Sequence, residues 1–219
     1  MSWSNKSKQQ FKYVDKSERP IANKALDHAS SILKSELSLT TPSISDDFDL
    51  ILKGGCTYLP NFFCETSNLD IFHRLESELK SDTMVKWSAH FKFENPTFSE
   101  TFNGIVDLMA KHFGVKVCQT RLNYYADGTS FKPMHKDRHA YIDGTIRVEE
   151  NFTMGASFGA GRNLDFIHEQ SQNKFTFPQN NGDVFAFNSD INKKFLHGVP
   201  KVFHKIGPRF SIIAWGNKN

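Results

Sequence analysis

The sequence contains little cysteine, and its cysteines are not spaced for a metal site. Only three of the 219 residues are cysteines, Cys56, Cys64 and Cys118. Their number is odd, and their spacing does not match that of zinc-binding cysteine pairs. We therefore expect reduced thiols, which are typical of intracellular proteins, and neither a disulfide framework nor a cysteine-rich zinc site.

Long hydrophobic runs are also absent from the sequence. The first residues lack the apolar segment of a secretory signal, and no run approaches the length that crosses a membrane. The sequence therefore predicts a cytoplasmic or nuclear protein without a membrane partner. The net charge of +3 is small, so it permits an anionic partner without requiring one. Nothing in the sequence fixes the oligomeric state, and a monomer is our expectation.

The amino-terminal part of the chain differs in composition from the rest. Lysine, serine and glutamine dominate the first 20 residues, which predicts a tail without fixed structure. Apolar residues at helical spacing in residues 21–37 predict one amphipathic helix. We therefore divide the chain into a tail with this helix, residues 1–45, and a single domain, residues 46–219.

Within residues 46–219, the hydrophobic pattern predicts helices first and strands afterwards. We expect a strand at 50–59 and helices at 69–79 and 99–113. Eight short strands are predicted after Gly114, at 116–125, 131–136, 151–158, 164–168, 174–177, 183–187, 195–199 and 209–215. This order, with 21 phenylalanines in short apolar runs, predicts an α+β, mainly β fold. The expected architecture is a double-stranded β-helix, the jelly-roll barrel, with supporting helices before it.

The sequence His135-Lys136-Asp137 is a candidate metal site. Residues two apart on a strand point to the same face, so His135 and Asp137 can act together. His197, on a later predicted strand, can supply a third ligand. Two imidazoles and one carboxylate form the facial set that binds Fe(II) in non-haem oxygenases. Taken alone, the histidine of each fragment is more often a surface or core residue than a ligand.

Arg209 and Ser211 form a second candidate site at the start of the last predicted strand. They are two residues apart, so the guanidinium and the hydroxyl share a face. A guanidinium can bind a carboxylate through two hydrogen bonds, and inside a barrel it needs such a partner. The alternative is a surface arginine at a strand end, which the preceding Pro208 also fits.

Together these residues resemble the AlkB-like family of Fe(II)/2-oxoglutarate-dependent dioxygenases. The similarity extends over about residues 50–216. It rests on the ordered segments Asn-Tyr-Tyr-Ala-Asp-Gly at 123–128, His-Lys-Asp at 135–137, Phe-Gly-Ala-Gly-Arg-Asn-Leu-Asp-Phe at 158–166, Asn-Gly-Asp-Val-Phe at 181–185, His-Gly-Val-Pro at 197–200 and Pro-Arg-Phe-Ser at 208–211.

The resemblance implies Fe(II), 2-oxoglutarate and O2 as cofactors and cosubstrates. It implies that iron is bound by the residues His135, Asp137 and His197. Arg209, helped by Tyr125 and Ser211, would bind the distal carboxylate of 2-oxoglutarate, and Asn123 would bind near its keto-acid end. The implied reaction is hydroxylation of a C–H bond with conversion of 2-oxoglutarate to succinate. On an N-methyl group, that reaction releases formaldehyde.

The sequence departs from the family pattern at two places. Trp215 stands where the family has a second arginine, and Arg138 and His139 stand where members acting on bases often have acidic residues. The resemblance implies that Arg138 and His139 flank the substrate pocket, so both are candidate substrate residues, and base recognition cannot be carried over from the family.

Residues 86–93, which precede the predicted barrel, hold the other candidate substrate residues, Trp87, His90 and Phe91. Aromatic residues interleaved with lysines could stack a flipped base near phosphates. They equally fit a β-hairpin that packs its aromatic side chains on the core.

Three functional hypotheses follow from the sequence. The first is an AlkB-like dioxygenase that removes methyl or other alkyl groups from the bases of DNA or RNA. The second is the same oxygenase chemistry on a protein side chain or a small molecule. The third is a catalytically silent jelly-roll binding module. The intact set of His135, Asp137, His197 and Arg209 favours the two enzymatic hypotheses.

Overall fold

The structure is a computed structural model, and it describes residues 47, 50–80, 86–137, 141–142, 145–146 and 150–218. The predicted tail and amphipathic helix of residues 1–45 lie outside the described residues, as do Arg138 and His139. The elements, in chain order, are a π-helical turn (Ile51–Gly55), β1 (Cys56–Leu59), α1 (Asp70–Leu79), β2 (Phe91–Glu94), α2 (Glu100–Phe113), β3 (Val115–Tyr125), β4 (Lys132–His135), β5 (Tyr141–Ile142), β6 (Thr145–Ile146), β7 (Phe152–Gly159), β8 (Arg162–His168), β9 (Lys174–Gln179), β10 (Val184–Asn188), α3 (Ser189–Lys194), β11 (Phe195–Val199) and β12 (Arg209–Lys218).

The strands form two main antiparallel sheets. The larger sheet has six strands in the order β1-β10-β7-β12-β3-β2, and the smaller has four in the order β4-β11-β8-β9. The strands β5 and β6 pair only with each other. Within the described residues, no strand pairing joins the two main sheets into a closed ring. The predicted jelly-roll fold is therefore confirmed, and its two sheets form a two-layer sandwich.

The larger sheet is covered on both faces, so the molecule has two hydrophobic cores. On the outer face, α1 and α2 pack on side chains such as Leu122, Met154 and Ile212. On the inner face, aromatic side chains of both sheets fill the space between the layers, among them Phe166 and Phe187. Burial on both faces explains why β7 is buried along nearly its whole length.

Local sequence signals explain the ends of α2. The Ser99 side chain accepts a hydrogen bond from the Phe102 backbone N–H, and Gly114 ends the helix in the left-handed conformation with φ 66°. The predicted helix at 99–113 is confirmed. The predicted strand at 50–59 was wrong in its first half, because Ile51–Gly55 form a π-helical turn in which Gly54 has φ 91°. Only Cys56–Leu59 is a strand, paired with β10.

Candidate metal and cosubstrate site

The predicted metal ligands meet where β4 pairs with β11. His135 lies directly opposite His197 in the strand register, and Asp137 follows two residues after His135. The Asp137 Oδ1 atom lies 3.6 Å from His135 Nε2 and 3.5 Å from His197 Nε2. One donor atom of each residue lies within 4.8 Å of the other two. The strand pairing therefore brings together three residues that are up to 62 positions apart.

Hydrogen bonding and packing orient both imidazole rings. His135 Nδ1 lies 2.9 Å from the Pro133 carbonyl oxygen and 2.8 Å from the His197 carbonyl oxygen. It therefore donates its proton to the backbone, which leaves the lone pair of Nε2 facing the cluster. The His197 ring packs between Phe166 and Phe187, with ring centroids 5.6 and 4.9 Å away.

The pKa of His135 favours the form that binds metals. Burial, and then the neighbouring His197, lowers this pKa from 6.5 to about 4. The imidazole is therefore neutral at pH 7. A neutral ring with a free lone pair is the state in which histidine coordinates a metal ion.

The carboxylate of Asp137 is held from two sides. Its Oδ2 atom accepts hydrogen bonds from Trp215 Nε1 at 3.0 Å and from Thr153 Oγ1 at 3.1 Å. Its backbone exchanges two hydrogen bonds of 2.9 Å with the Asn192 side chain of α3. These contacts direct Oδ1, the other carboxylate oxygen, toward His135 and His197.

The donor set fits a divalent metal ion. Two donors about 2.1 Å from one ion and at right angles to each other lie about 3 Å apart, close to the spacing of this cluster. Two imidazoles and one singly binding carboxylate suit iron(II) and leave other coordination positions open. The hydrogen bonds to His135 Nδ1 and to Asp137 Oδ2 are the outer contacts that typically orient metal ligands.

Arg209 lies in the same cavity as the cluster and has an unusual environment. Its side chain is only 1 % exposed, yet no carboxylate pairs with it within the described residues. Its Nε donates a hydrogen bond to Ser157 Oγ at 2.8 Å, whereas Nη1 has no partner in the described part of the chain. Burial lowers the pKa of Arg209 from 12.5 to about 10. A cation buried in this way provides a binding position for an anion.

Polar side chains surround the Arg209 guanidinium. The Tyr125 ring lies 5.1 Å from its central carbon. Ser211 stands opposite both Asn123 and Ser157 in the strand registers, and Asn123 Nδ2 donates a hydrogen bond to the Ser211 carbonyl oxygen at 3.4 Å. The structure thus brings all of the predicted metal and cosubstrate residues to one cavity, lined by His135, Asp137, His197, Arg209, Ser211, Tyr125 and Asn123 among others.

The predicted substrate residues are placed differently. Trp87 and Phe91 pack on Tyr124, with ring centroids 5.0 and 4.7 Å away, on the outer face of the larger sheet. They do not line the cavity, so the structure favours the alternative reading of this segment, in which its aromatic residues pack on the core. His90 is exposed beside Tyr125 and is not among the cavity residues.

Sequence reasoning missed several residues of the cavity and its surroundings. These are Trp215 and Thr153 beside Asp137, Asn192 behind it, Ser157 beside Arg209, the buried Gln179, and Arg121 toward the surface. A period-two count along β12 would have found Trp215, because Arg209, Ser211, Ile213 and Trp215 share one face of the strand.

Comparison with known proteins finds several solved structures with a similar fold and one distant relative in sequence. No protein-family model matches the chain. An uncharacterised protein, R406, from Acanthamoeba polyphaga mimivirus is 27% identical over 149 residues, which span 67% of this chain and 74% of that protein.

Several solved structures have a similar fold. A prolyl-4-hydroxylase from Pseudomonas putida has a TM-score of 0.51 at 14% identity, covering 78% of this chain and 96% of that one. A viral collagen prolyl hydroxylase from Paramecium bursaria Chlorella virus-1, in complex with 2-oxoglutarate, has a TM-score of 0.52 at 13% identity, covering 74% and 94%.

A third similar structure was solved with a peptide. It is a Trichoplax adhaerens prolyl hydroxylase in complex with a fragment of the oxygen degradation domain of hypoxia inducible factor, with a TM-score of 0.53 at 10% identity, covering 88% and 90%. The fold is therefore that of the 2-oxoglutarate and iron(II) oxygenases. These similarities show the fold and do not support the narrower AlkB-like assignment.

Proposed function

We propose that the protein is an Fe(II)- and 2-oxoglutarate-dependent oxygenase that hydroxylates a side chain of a protein or peptide. One observation carries the oxygenase assignment: a single cavity contains both the His135, Asp137 and His197 donor set and the buried, unneutralised guanidinium of Arg209. A divalent cation and a dicarboxylate together match those two features. The fold, shared with prolyl hydroxylases, supports this assignment.

The chain's own residues would bind and orient the reactants. His135, Asp137 and His197 would hold the iron, and Arg209 with Ser211 and Tyr125 would bind the distal carboxylate of 2-oxoglutarate. When bound, iron and 2-oxoglutarate supply the oxidising chemistry, in which succinate formation accompanies hydroxylation of a C–H bond. The apolar walls of the cavity, which include Leu164, Phe185 and Phe187, would limit the access of water.

Protein substrates are better supported than nucleic-acid bases. One of the similar structures was solved with a peptide, and two others are named as prolyl hydroxylases. The proposed base-stacking residues Trp87 and Phe91 are part of the outer core. We therefore prefer the second of the sequence-based hypotheses to removal of alkyl groups from DNA or RNA.

The oxygenase assignment is tested by turnover and binding together. We expect the purified protein to convert 2-oxoglutarate to succinate and CO2 only with Fe(II) and O2, and, when no substrate is present, with ascorbate as the added two-electron reductant. Arg209→Met should raise the KM for 2-oxoglutarate about 100-fold, because losing one partner of a buried charge pair costs about 3 kcal/mol. Arg209→Lys keeps the charge but loses the two-point contact, so it should have an intermediate KM.

Metal binding by the Arg209→Met variant serves as the control for an intact donor cluster. It should bind Mn(II) with an affinity close to that of the original protein, because Arg209 does not contact the donor cluster. Calorimetry with Mn(II), and then with 2-oxoglutarate, separates the two affinities. Failure of the unaltered protein to bind 2-oxoglutarate in the presence of Mn(II) would contradict the proposed function.

A further inference from the structure

An open groove on the surface leads to the donor cluster. It is lined by Arg121, Lys132, Met134, His135, Lys136, Asp137, Glu169 and Leu196. Four of these residues, Arg121, Lys132, His135 and Asp137, also line the inner cavity. Arg121 and Lys132 therefore flank the passage between the groove and the metal site. A substrate that reaches the metal from this groove must pass both cations.

The cations of the groove differ in their partners. Arg121 Nε donates a hydrogen bond to Glu94 Oε1 at 2.8 Å, and its guanidinium lies 5.1 Å from the Trp215 ring. Lys136 Nζ lies 2.5 Å from Glu169 Oε2. Lys132 makes no ion pair with a carboxylate among the residues that the structure describes. It is therefore the cation of this groove with capacity for an external anion.

Positive charge outweighs negative charge around Lys132. Partial burial, and then the positive charges of Arg121 and Lys92, lower its pKa below the ordinary value, while the weaker effects of Asp137 and Glu94 act in the opposite direction. An anion bound beside Lys132 would offset this repulsion. Strand pairing fixes the position of the residue, because Lys132 is opposite Val199 on the strand that carries His197.

We propose that the substrate is an acidic peptide segment, and that Lys132 binds an aspartate or glutamate side chain close to the residue that is oxidised. This inference rests on the proposed oxygenase function and specifies its substrate. Met134 and Leu196 add apolar surface to the groove, which suits the side chains of a peptide.

The charge pattern of the groove favours a peptide over a nucleic acid. Binding of a phosphate backbone uses several cations along a track. Here Arg121 and Lys136 already have carboxylate partners, so the groove offers no row of available cations for successive phosphates. Lys132, whose neighbours Arg121 and Lys136 are already paired, is suited to binding a single carboxylate.

The test uses three pools of synthetic peptides with a degenerate central position, flanked by acidic residues, by their amides or by lysine. Mass spectrometry measures the added oxygen after incubation with Fe(II), 2-oxoglutarate and O2. We expect kcat/KM for the acidic pool to exceed that for the amide pool about 10-fold, as for a hydrogen bond between charged groups. Lys132→Glu should reverse the preference toward the lysine pool.

The matched control is Lys111→Glu, which makes the same change of charge on α2, at the other side of the larger sheet. Lys111 is exposed, so the variant should keep the acidic preference. Melting temperatures of both variants verify that they fold.

The outcomes separate this inference from the proposed function. Oxidation of all pools without an acidic preference, or an acidic preference that persists in Lys132→Glu, would overturn the role of Lys132 but leave the oxygenase intact. Succinate formation with no oxygen added to any pool would overturn the peptide substrate. So would oxygen transfer to methylated oligonucleotides only. A lack of 2-oxoglutarate binding would instead contradict the proposed function itself.

Discussion

Trp215 shows how a departure from a family pattern can be part of a site. The AlkB-like resemblance places an arginine at this position, and the sequence alone gave the tryptophan no role. In the structure its indole N–H donates to Asp137 Oδ2, and its ring lies beneath the Arg121 guanidinium. That His135, Asp137, His197 and Arg209 lie together could be predicted from their order and spacing in the sequence. The contact between Trp215 and Asp137 could not be predicted from the sequence, since it depends on how the two sheets face each other.

Removing the indole donor should weaken metal binding. Trp215→Phe keeps an aromatic ring but leaves Asp137 Oδ2 with one fewer hydrogen bond, so we expect at least a 10-fold loss of Mn(II) affinity, as is typical when such an outer partner is removed. Competition with a chelator measures this affinity. Trp87→Phe, which changes a tryptophan on the outer face, should leave the affinity as it was. Equal affinities for both variants would show that the hydrogen bond has no positioning role.

The elements β4 and β11 set the geometry of the donor cluster. Their pairing places His135 beside His197, and the Gly198 backbone lies close to β4. The sequence predicted both strands within about two residues of their observed ends. It missed α3, the six-residue helix that supplies Asn192, because so short a helix has too few turns to show a period.

A side chain at position 198 should disturb this pairing. A Cβ atom there would lie 2.8 Å from the Lys132 carbonyl oxygen and 2.9 Å from Met134 Sδ, so Gly198→Ala must push β4 away from β11. We expect weaker Mn(II) binding and a melting temperature lower by several degrees. Gly207→Ala is the control, since its Cβ would meet only Ala160 at 3.9 Å. If both alanine variants bind Mn(II) equally, the strand contact does not control the site.

On the scale of the whole molecule, the two-layer architecture followed from the order of helices and strands in the sequence. The sequence did not predict that the two sheets remain separate at their edges, because closure into a barrel depends on pairings between edge strands that no local pattern encodes. Residues 1–45 and their predicted helix lie outside the described part of the chain, so their separate organisation stays a prediction. Within the described residues, no helix is long and apolar enough to span a membrane.

The stability of the metal-free protein should fall with rising pH because of Glu150. Burial, and then the charge of Asp137, raise the pKa of Glu150 from 4.5 to about 7. Between these values the folded protein retains a proton that the unfolded chain has lost, so the free energy of unfolding decreases as the pH rises. This loss of stability is absent below about pH 4.5 and complete above about pH 7.

Glu150→Gln should remove this dependence. The full shift corresponds to about 3 kcal/mol, but Glu150 is partly exposed, so we expect the variant to be more stable by about 1 kcal/mol at pH 8. Urea unfolding in the presence of a chelator at pH 4 and pH 8 measures the difference. A variant that gains the same stability at both values would contradict the assigned pKa.

Asp137 also has a consequence for the lifetime of the protein. It follows β4 of the smaller sheet, while its Oδ2 partners Trp215 and Thr153 belong to β12 and β7 of the larger sheet. An ion shared with His135 and His197 would hold Asp137 in the position from which it accepts these two hydrogen bonds between the layers. At a concentration 100 times its Kd, such an ion adds about 2.7 kcal/mol to the folded state. The supply of metal in the cell would then set how long the protein persists, as well as how fast it works.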